Sequence, residues 1–262
     1  MLDRLLERIQ PDAQTRLVFV GDFVTRGPDS KGVIDRVRNL QCPKLIVAGN
    51  HDLWMVRYAE VMQQSCDGVP GASERLATMR VTEDRQQIFQ NLNSEDIHWL
   101  GAHPLIDWFA AGEKSFVVIH AGIAPTINLP GPRFNLDQLK KNDRENLTRL
   151  RFYDANTLKS IALGREPEFP KRTYWANTYD GRYGFALFGH HVHFQVARYA
   201  HALALDTGAG TQEDTAMLSA VEINAQGEFP RVISVKAITH EVIESTPQPA
   251  SDHLLKFFFP PV

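Results

Sequence analysis

Four short apolar runs each stop on a residue able to hold a metal ion. Leu17–Val20 stops on Gly21-Asp22, with Arg26-Gly27 four residues further on. Leu45–Ala48 stops on Gly49-Asn50-His51, Phe116–Ile119 on His120, and Phe185–Phe188 on Gly189-His190. Asp, Asn and two His offer oxygen and imidazole donors without thiolate. That set suits Mn, Fe or Zn, and one carboxylate is able to bridge two ions. An Asp with an Arg on the next turn holds a cation and an anion side by side. Glycine beside three of the four donors lets the backbone turn sharply and leaves room for a substrate. Each run alone is a weak signal, whereas four in one chain, with an Arg in reach, form a joint one.

These residues need elements to position them. The four runs are short, continuous and bounded by glycine, which reads as buried strands. In α/β sheets, ligands bind at the C-terminal ends of strands, where all four donors stand. Leu2, Leu5, Leu6 and Ile9 predict an amphipathic helix over 2–10, ended by Pro11. Ser30 is the expected N-cap of a helix running to about Leu40. A helix is expected over 53–64, a loop over 66–72, helical periodicity over 73–93 and a short helix over 94–100. Residues 53–104 therefore form a helical insertion between sheet strands. Asp52 is expected to start the first of these helices, facing its dipole, and not to be a ligand.

A hairpin is expected over 106–119, turning at Ala111-Gly112-Glu113. Residues 124–184 read as a long segment covering the site, with a loop at Pro125, Pro130 and Pro132 and a helix over 136–150. Two alternating strands, 216–223 and 231–235, are joined by Asn224-Ala225-Gln226-Gly227. The apolar tail Lys256–Val262 either docks on the sheet or lies loose. No repeat divides the chain, so 1–262 is expected to be one domain.

With 262 residues the chain is long enough for one large core, and its net charge of −3 argues against nucleic acid as an obligate partner. Cys42 and Cys66 make neither a disulfide framework nor a metal-spacing pattern, which fits a reducing cytoplasm. No signal peptide is visible and no apolar run is long enough to span a membrane.

The segments GDFVTRG at 21–27, GNHD at 49–52, HAG at 120–122 and GH at 189–190 resemble the calcineurin-like metallophosphoesterases. That family includes the serine/threonine protein phosphatases and the symmetrical diadenosine tetraphosphatases. LDTG at 205–208 resembles the strand-turn that follows the last histidine motif. The resemblance spans about residues 17 to 210. It implies a four-layer α/β/β/α sandwich with mixed β-sheets. It also implies hydrolysis of a phosphate monoester or anhydride by metal-activated hydroxide, with two Mn²⁺-like ions in an intact member (Fe or Zn being alternatives). By the same resemblance Asp22 bridges the two ions, and Asn50, His120 and His190 hold the second. His51 is the acid for the leaving oxygen, Arg26 a phosphate clamp and Arg182 a second clamp. His191 and His193 match no ligand position; one is expected to point into the core and the other to solvent. The substrate is a phosphorylated protein or a nucleotide.

Two departures stand out. The protein phosphatases carry an acid before the Arg to orient the catalytic His, whereas Thr25 stands here, so His51 is expected to lack that partner. The diadenosine tetraphosphatases also carry no acid there. The family also opens with a strand ending in a GDxHG-type motif, and none precedes Asp22. The expectation is that a longer polypeptide carries that strand, with a cleft left between its neighbours here. The alternative is a one-metal relative that binds phosphate or nucleotide without turnover.

Overall fold

The computed structural model describes residues 1–129, 138–211 and 213–250. Pro130, Pro132, the start of the helix expected from 136 and the tail Lys256–Val262 lie outside those residues.

Helix α1 (Leu2–Ile9) runs as its periodicity predicts and ends on Gln10 in the left-handed region. Strand β1 (Leu17–Phe19) pairs in parallel with β2 (Lys44–Ile46). Between them lies α2 (Ser30–Arg38). Its N-cap is Asp29, whose carboxylate accepts the Gly32 amide, and not Ser30. The Ser30 hydroxyl instead accepts the Thr25 amide at 3.2 Å.

The helical insertion comprises α3 (Asn50–Cys66), α4 (Ala72–Thr78), α5 (Glu83–Asn91) and α6 (Ser94–Gly101). Helix α3 starts three residues earlier than the expected 53, so Asn50 and His51 occupy its first turn. The hairpin β3 (Ile106–Ala111) and β4 (Lys114–Ile119) follows as expected.

The segment after β4 is more structured than its composition suggests. It holds α7 (Lys141–Arg149), an antiparallel pair β5 (Phe152–Asp154) and β6 (Arg172–Tyr174), and the short α8 (Trp175–Thr178). Then come β7 (Phe185–Phe188), β8 (Ala197–Arg198), β9 (Ala202–Ala204), β10 (Met217–Val221), β11 (Val232–Lys236), β12 (Val242–Ser245) and β13 (Gln248–Pro249).

A mixed six-stranded sheet has the order β13-β8-β9-β7-β4-β3. Facing it is a second layer in two pieces, β1-β2 and the antiparallel β10-β11-β12. Val47, Phe116, Val118, Leu187, Leu203 and Val232 form the core between these layers. Outside the split layer, Val24, Ile34, Val37, Met55 and Leu100 pack under the helices, and Leu5 of α1 packs on Ile233 and Val235. Outside the six-stranded sheet, Leu147, Phe152, Trp175 and Phe188 belong to a further core. The chain thus has the α/β/β/α layering and mixed sheets that the motifs implied. Among the described residues no helix is long and apolar enough to cross a membrane.

The split layer contains the expected cleft. Among the described residues β1 pairs only with β2, and β10 only with β11 and a single bridge at Met217. A groove of about 1640 Å³ is lined by both strands, with α1 residues Leu2, Leu5 and Ile9 along it. Every residue of β1 and β10 is half-buried, whereas the first four residues of β11 are buried.

Candidate active site

The C-terminal ends of the strands converge. Beyond β1 the chain turns at Gly21-Asp22, and beyond β2 at Gly49. A Cβ on Gly21 (φ +91°) would stand 2.5 Å from the Gly49 amide nitrogen, so the two turns touch backbone to backbone. Asp52, in the first turn of α3, ties them. Its carboxylate accepts the amides of Asp22 (2.8 Å), Phe23 (2.8 Å) and Gly49 (2.9 Å). Burial, then the Asp22 charge, push Asp52 up to about 6, against the amide bonds from Gly49 and Phe23 that favour its ionised form. Its role is to position two loops, and the sequence showed only the helix-start half of it.

Asp22, His120 and His190 each offer a ligand atom, and these atoms lie within 4.8 Å of one another. Asp22 Oδ2 is 3.3 Å from His120 Nε2, and Asn50 Oδ1 is 3.1 Å from the same nitrogen. The structure therefore brings all four expected metal ligands together. Two observations show that they fit a cation. His120 Nδ1 donates to the Val20 carbonyl at 2.6 Å, which turns Nε2, a lone pair in the neutral ring, toward Asp22 and Asn50. His190 Nε2 is buried with no hydrogen-bond partner, and a buried polar atom of that kind is costly unless something binds it. Against a desolvation that raises it, the His120 and His51 charges drive Asp22 well below the usual carboxylate range. Burial drives His190 well below its ordinary value, helped by the His120 and Arg151 charges.

Beside the cluster stands His51. Its Nδ1 is 2.6 Å from the Thr25 hydroxyl, its amide donates to Asp22 Oδ1 at 3.0 Å, and its Nε2 is 4.0 Å from Asp22 Oδ2. As the sequence implied, no acid stands at that place; the Thr25 hydroxyl meets the ring instead. Burial first, offset by Asp22 and reinforced by Arg26 and Arg85, lowers His51 to about 4. Arg26 is exposed, and a Cβ on Gly210 would lie 2.7 Å from its Cβ.

Asp22, Thr25, Arg26 and His190 all adopt positive φ (59°, 72°, 63° and 67°). For β-branched Thr25 this is a true outlier, and such strain costs about 1–3 kcal/mol at each residue and concentrates at functional sites.

Other residues fall elsewhere. Arg182 Nη2 donates to the carbonyls of Ala124, Pro125 and Ile127, and its cation lies 5.1 Å over Tyr183. It fastens the start of the covering segment. His191 and His193 are both buried, at 7 % and 0 % exposure, so neither points to solvent as expected. His193 bonds the His191 carbonyl and the Tyr199 hydroxyl, and His191 lies against the rings of Phe152 and Tyr174. Sequence reasoning missed two residues near the cluster. Asp206, two residues beyond β9, is pushed up by burial and by Asp22, with His120 and Arg26 acting the other way. Arg151 is disfavoured as a cation by burial, favoured by Glu166, and senses Arg26, Tyr174 and Asp206. The LDTG resemblance pointed toward the first; nothing singled out the second.

The calcineurin-like phosphoesterase family model matches residues 1–194. A Coxiella burnetii (strain Dugway 5J108-111) protein named symmetrical bis(5'-nucleosyl)-tetraphosphatase is 31% identical over 251 residues, covering 79% of this chain and 79% of the relative. A Janthinobacterium (strain Marseille) protein of the same name is 34% identical over 125 residues, which cover 47% of this chain and 39% of the relative. Among solved structures, a candidate diadenosine tetraphosphatase superposes with a TM-score of 0.56 at 19% identity, covering 94% of this chain and 87% of the other. That likeness speaks for the fold.

Proposed function

Because this chain belongs to the calcineurin-like phosphoesterase family, a family of phosphoester hydrolases, we propose that it is a metal-dependent hydrolase of phosphate anhydrides of the dinucleoside polyphosphate class. The observation that carries the reading is the convergence of Asp22, His120 and His190 with Asn50, next to His51 and Arg26. The relatives' names favour a dinucleoside polyphosphate over a phosphoprotein. So does Thr25, which stands where the protein phosphatases carry an acid.

In this reading Asp22, Asn50, His120 and His190 would hold the divalent ion. When bound, such an ion supplies Lewis acidity and lowers the pKa of water near neutrality. The remaining work belongs to the chain. Arg26, carried on a left-handed turn at the rim, binds the oxygens of the phosphoryl group under attack. His51, its Nδ1 beside the Thr25 hydroxyl, would in its protonated form give the Nε2 proton to the leaving oxygen and return to the neutral ring. Asp52 keeps Asp22 and the first turn of α3 in register. Arg182, fastened to 124–127, acts on the covering segment and is not assigned to the phosphate.

The test is Mn²⁺-dependent hydrolysis of a dinucleoside tetraphosphate, an aryl phosphate and a phosphopeptide by the purified chain, with metal counted by mass spectrometry. The expected result is bound metal, turnover of the aryl phosphate, and faster turnover of the dinucleotide, one water and one dinucleoside tetraphosphate giving two nucleoside diphosphates. A phosphopeptide preference overturns the substrate class. Bound metal with no turnover of any substrate selects the one-metal binding relative instead.

A further inference from the structure

The helical insertion carries a second group of charged and aromatic side chains up to the site. Along α3, Asn50, Trp54 and Tyr58 recur every fourth residue and share one face. At a rise of about 1.5 Å per residue, Trp54 stands about 6 Å further along the axis than Asn50. Its ring stacks on Tyr58, with centroids 5.2 Å apart and planes within 9°. Tyr58 in turn meets Phe89 of α5 edge-on at 4.9 Å. Arg85 of α5 lays its guanidinium 4.2 Å over the Trp54 ring and donates Nη1 to the Arg80 carbonyl at 3.0 Å. Such a cation–π contact favours one orientation of a long side chain. Arg85 is thus mounted on the helix whose first turn presents Asn50 and His51.

Positive charge collects here without a close ion pair among the described residues. Arg26, Arg85 and Arg149 make no ion pair with a described residue. Arg149 ends α7, whose Leu147 carbonyl accepts the Ala121 amide beside His120. The charge on Arg85 is disfavoured by partial burial first, then by Arg149; Asp84 opposes this, and Arg26 and Arg80 add to it. Guanidinium groups drawn from α5, α7 and the β1 turn are what a chain of several phosphates neutralises.

We propose that Arg85, held by Trp54 and assisted by Arg149, is a second anion subsite that takes the non-reacting phosphoryl groups of a polyphosphate chain whose reacting group lies at Arg26. This rests on the hydrolase reading for the place of the reacting group. The subsite selects substrate length: it favours an extended polyphosphate over an isolated phosphate and leaves the chemistry to the metal-ligand cluster. Trp54 is a positioning residue, since it acts through Arg85.

The experiment is equilibrium binding of inorganic tripolyphosphate and orthophosphate to the full chain in EDTA, by calorimetry at fixed salt, so that neither metal nor turnover enters. The parent is expected to bind tripolyphosphate at least about tenfold tighter than orthophosphate. Arg85→Gln and Trp54→Leu are expected to cut that ratio about fivefold, Arg149→Gln somewhat less, and Arg85→Lys only in part. Arg165→Gln, on an exposed arginine paired with Glu168, is expected to change nothing. Each variant is checked for parent-like circular dichroism and melting. A ratio unchanged in both Arg85→Gln and Trp54→Leu, with the fold intact, overturns the subsite, as does an equal ratio in Arg165→Gln and Arg85→Gln. The hydrolase reading fails separately. If the parent does not turn over aryl phosphate with Mn²⁺ yet shows the length discrimination and its loss in Arg85→Gln, the subsite stands and the catalytic assignment falls.

Discussion

The two β-layers that meet at the site differ in how they are closed. The six-stranded sheet is hydrogen-bonded throughout, and the parts of β4, β7 and β9 that lead to the site are buried. It delivers His120 and His190. The facing layer is split, and its β1 is half-exposed along one edge, yet it delivers Asp22 and Asn50 to the same cluster. Sheet pairing alone therefore does not place the second pair of ligands. Three local devices do: the carboxylate of Asp52 on three amides, the backbone contact of Gly21 with Gly49, and the bond from His120 Nδ1 to the Val20 carbonyl, which crosses between layers. A well-built ligand cluster does not require that both sheets carrying it be equally well built.

That contrast is open to attack, beginning where the two layers meet. Asp22→Asn removes the carboxylate that faces ligands from both layers and is expected to lower Mn²⁺ affinity at least about 100-fold, as read by metal titration. His51→Ala stands beside the cluster without belonging to it. It is expected to leave metal content unchanged and to slow turnover about 10²–10⁴-fold, the usual range for a lost general acid. If it strips the metal, the division between ligand and acid is wrong. Asp52→Asn tests the local devices, because an amide presents donors to amide donors. A loss of about 3 kcal/mol of unfolding free energy is expected in urea melts, from buried N–H groups left unpaired.

A matched pair of truncations compares the layers directly. Leu203→Ala in β9 is expected to cost about 3 kcal/mol, and Leu218→Ala in the half-exposed β10 about 1 kcal/mol. Equal costs would mean that the split layer is as tightly packed as the other. A pH effect concerns His193, in the six-stranded half, which burial lowers to about 4 although its bond to the His191 carbonyl acts the other way. Its folded pKa lies below its unfolded value near 6.5, so the unfolded chain takes up the proton first. Stability is therefore expected to fall by about 2–3 kcal/mol as pH drops from about 6.5 to about 4. His193→Gln is expected to flatten that slope in pH-dependent melts.

The cluster of Asp22, Asn50, His120 and His190 was legible because each residue ends an apolar run next to a glycine or, at His120, two residues before one. That local pattern survives whatever the tertiary structure does. The hairpin over 106–119 and the helix over 2–10 were legible for the same reason, since their periodicity lies within one element. Strands β8, β9 and β13 are two or three residues long and leave no period to read. Thr25 as the partner of His51, Asp52 as a clamp on two loops, and Arg85 stacked on Trp54 are contacts between distant positions or depend on a turn with positive φ. Composition and spacing do not encode such contacts one residue at a time. Asp29 took the cap expected of Ser30, whose hydroxyl accepts the Thr25 amide instead.

The groove beside β1 also bears on how the molecule behaves in company. Among the described residues its two edges have no strand partner across the groove and present amides and carbonyls to any other extended chain, and neighbouring copies of the protein are the most abundant such chains in a concentrated sample. Light scattering should therefore grow with concentration and warming before secondary structure is lost. A single lysine or proline placed on β10 should delay it more than the same change on the fully paired β9.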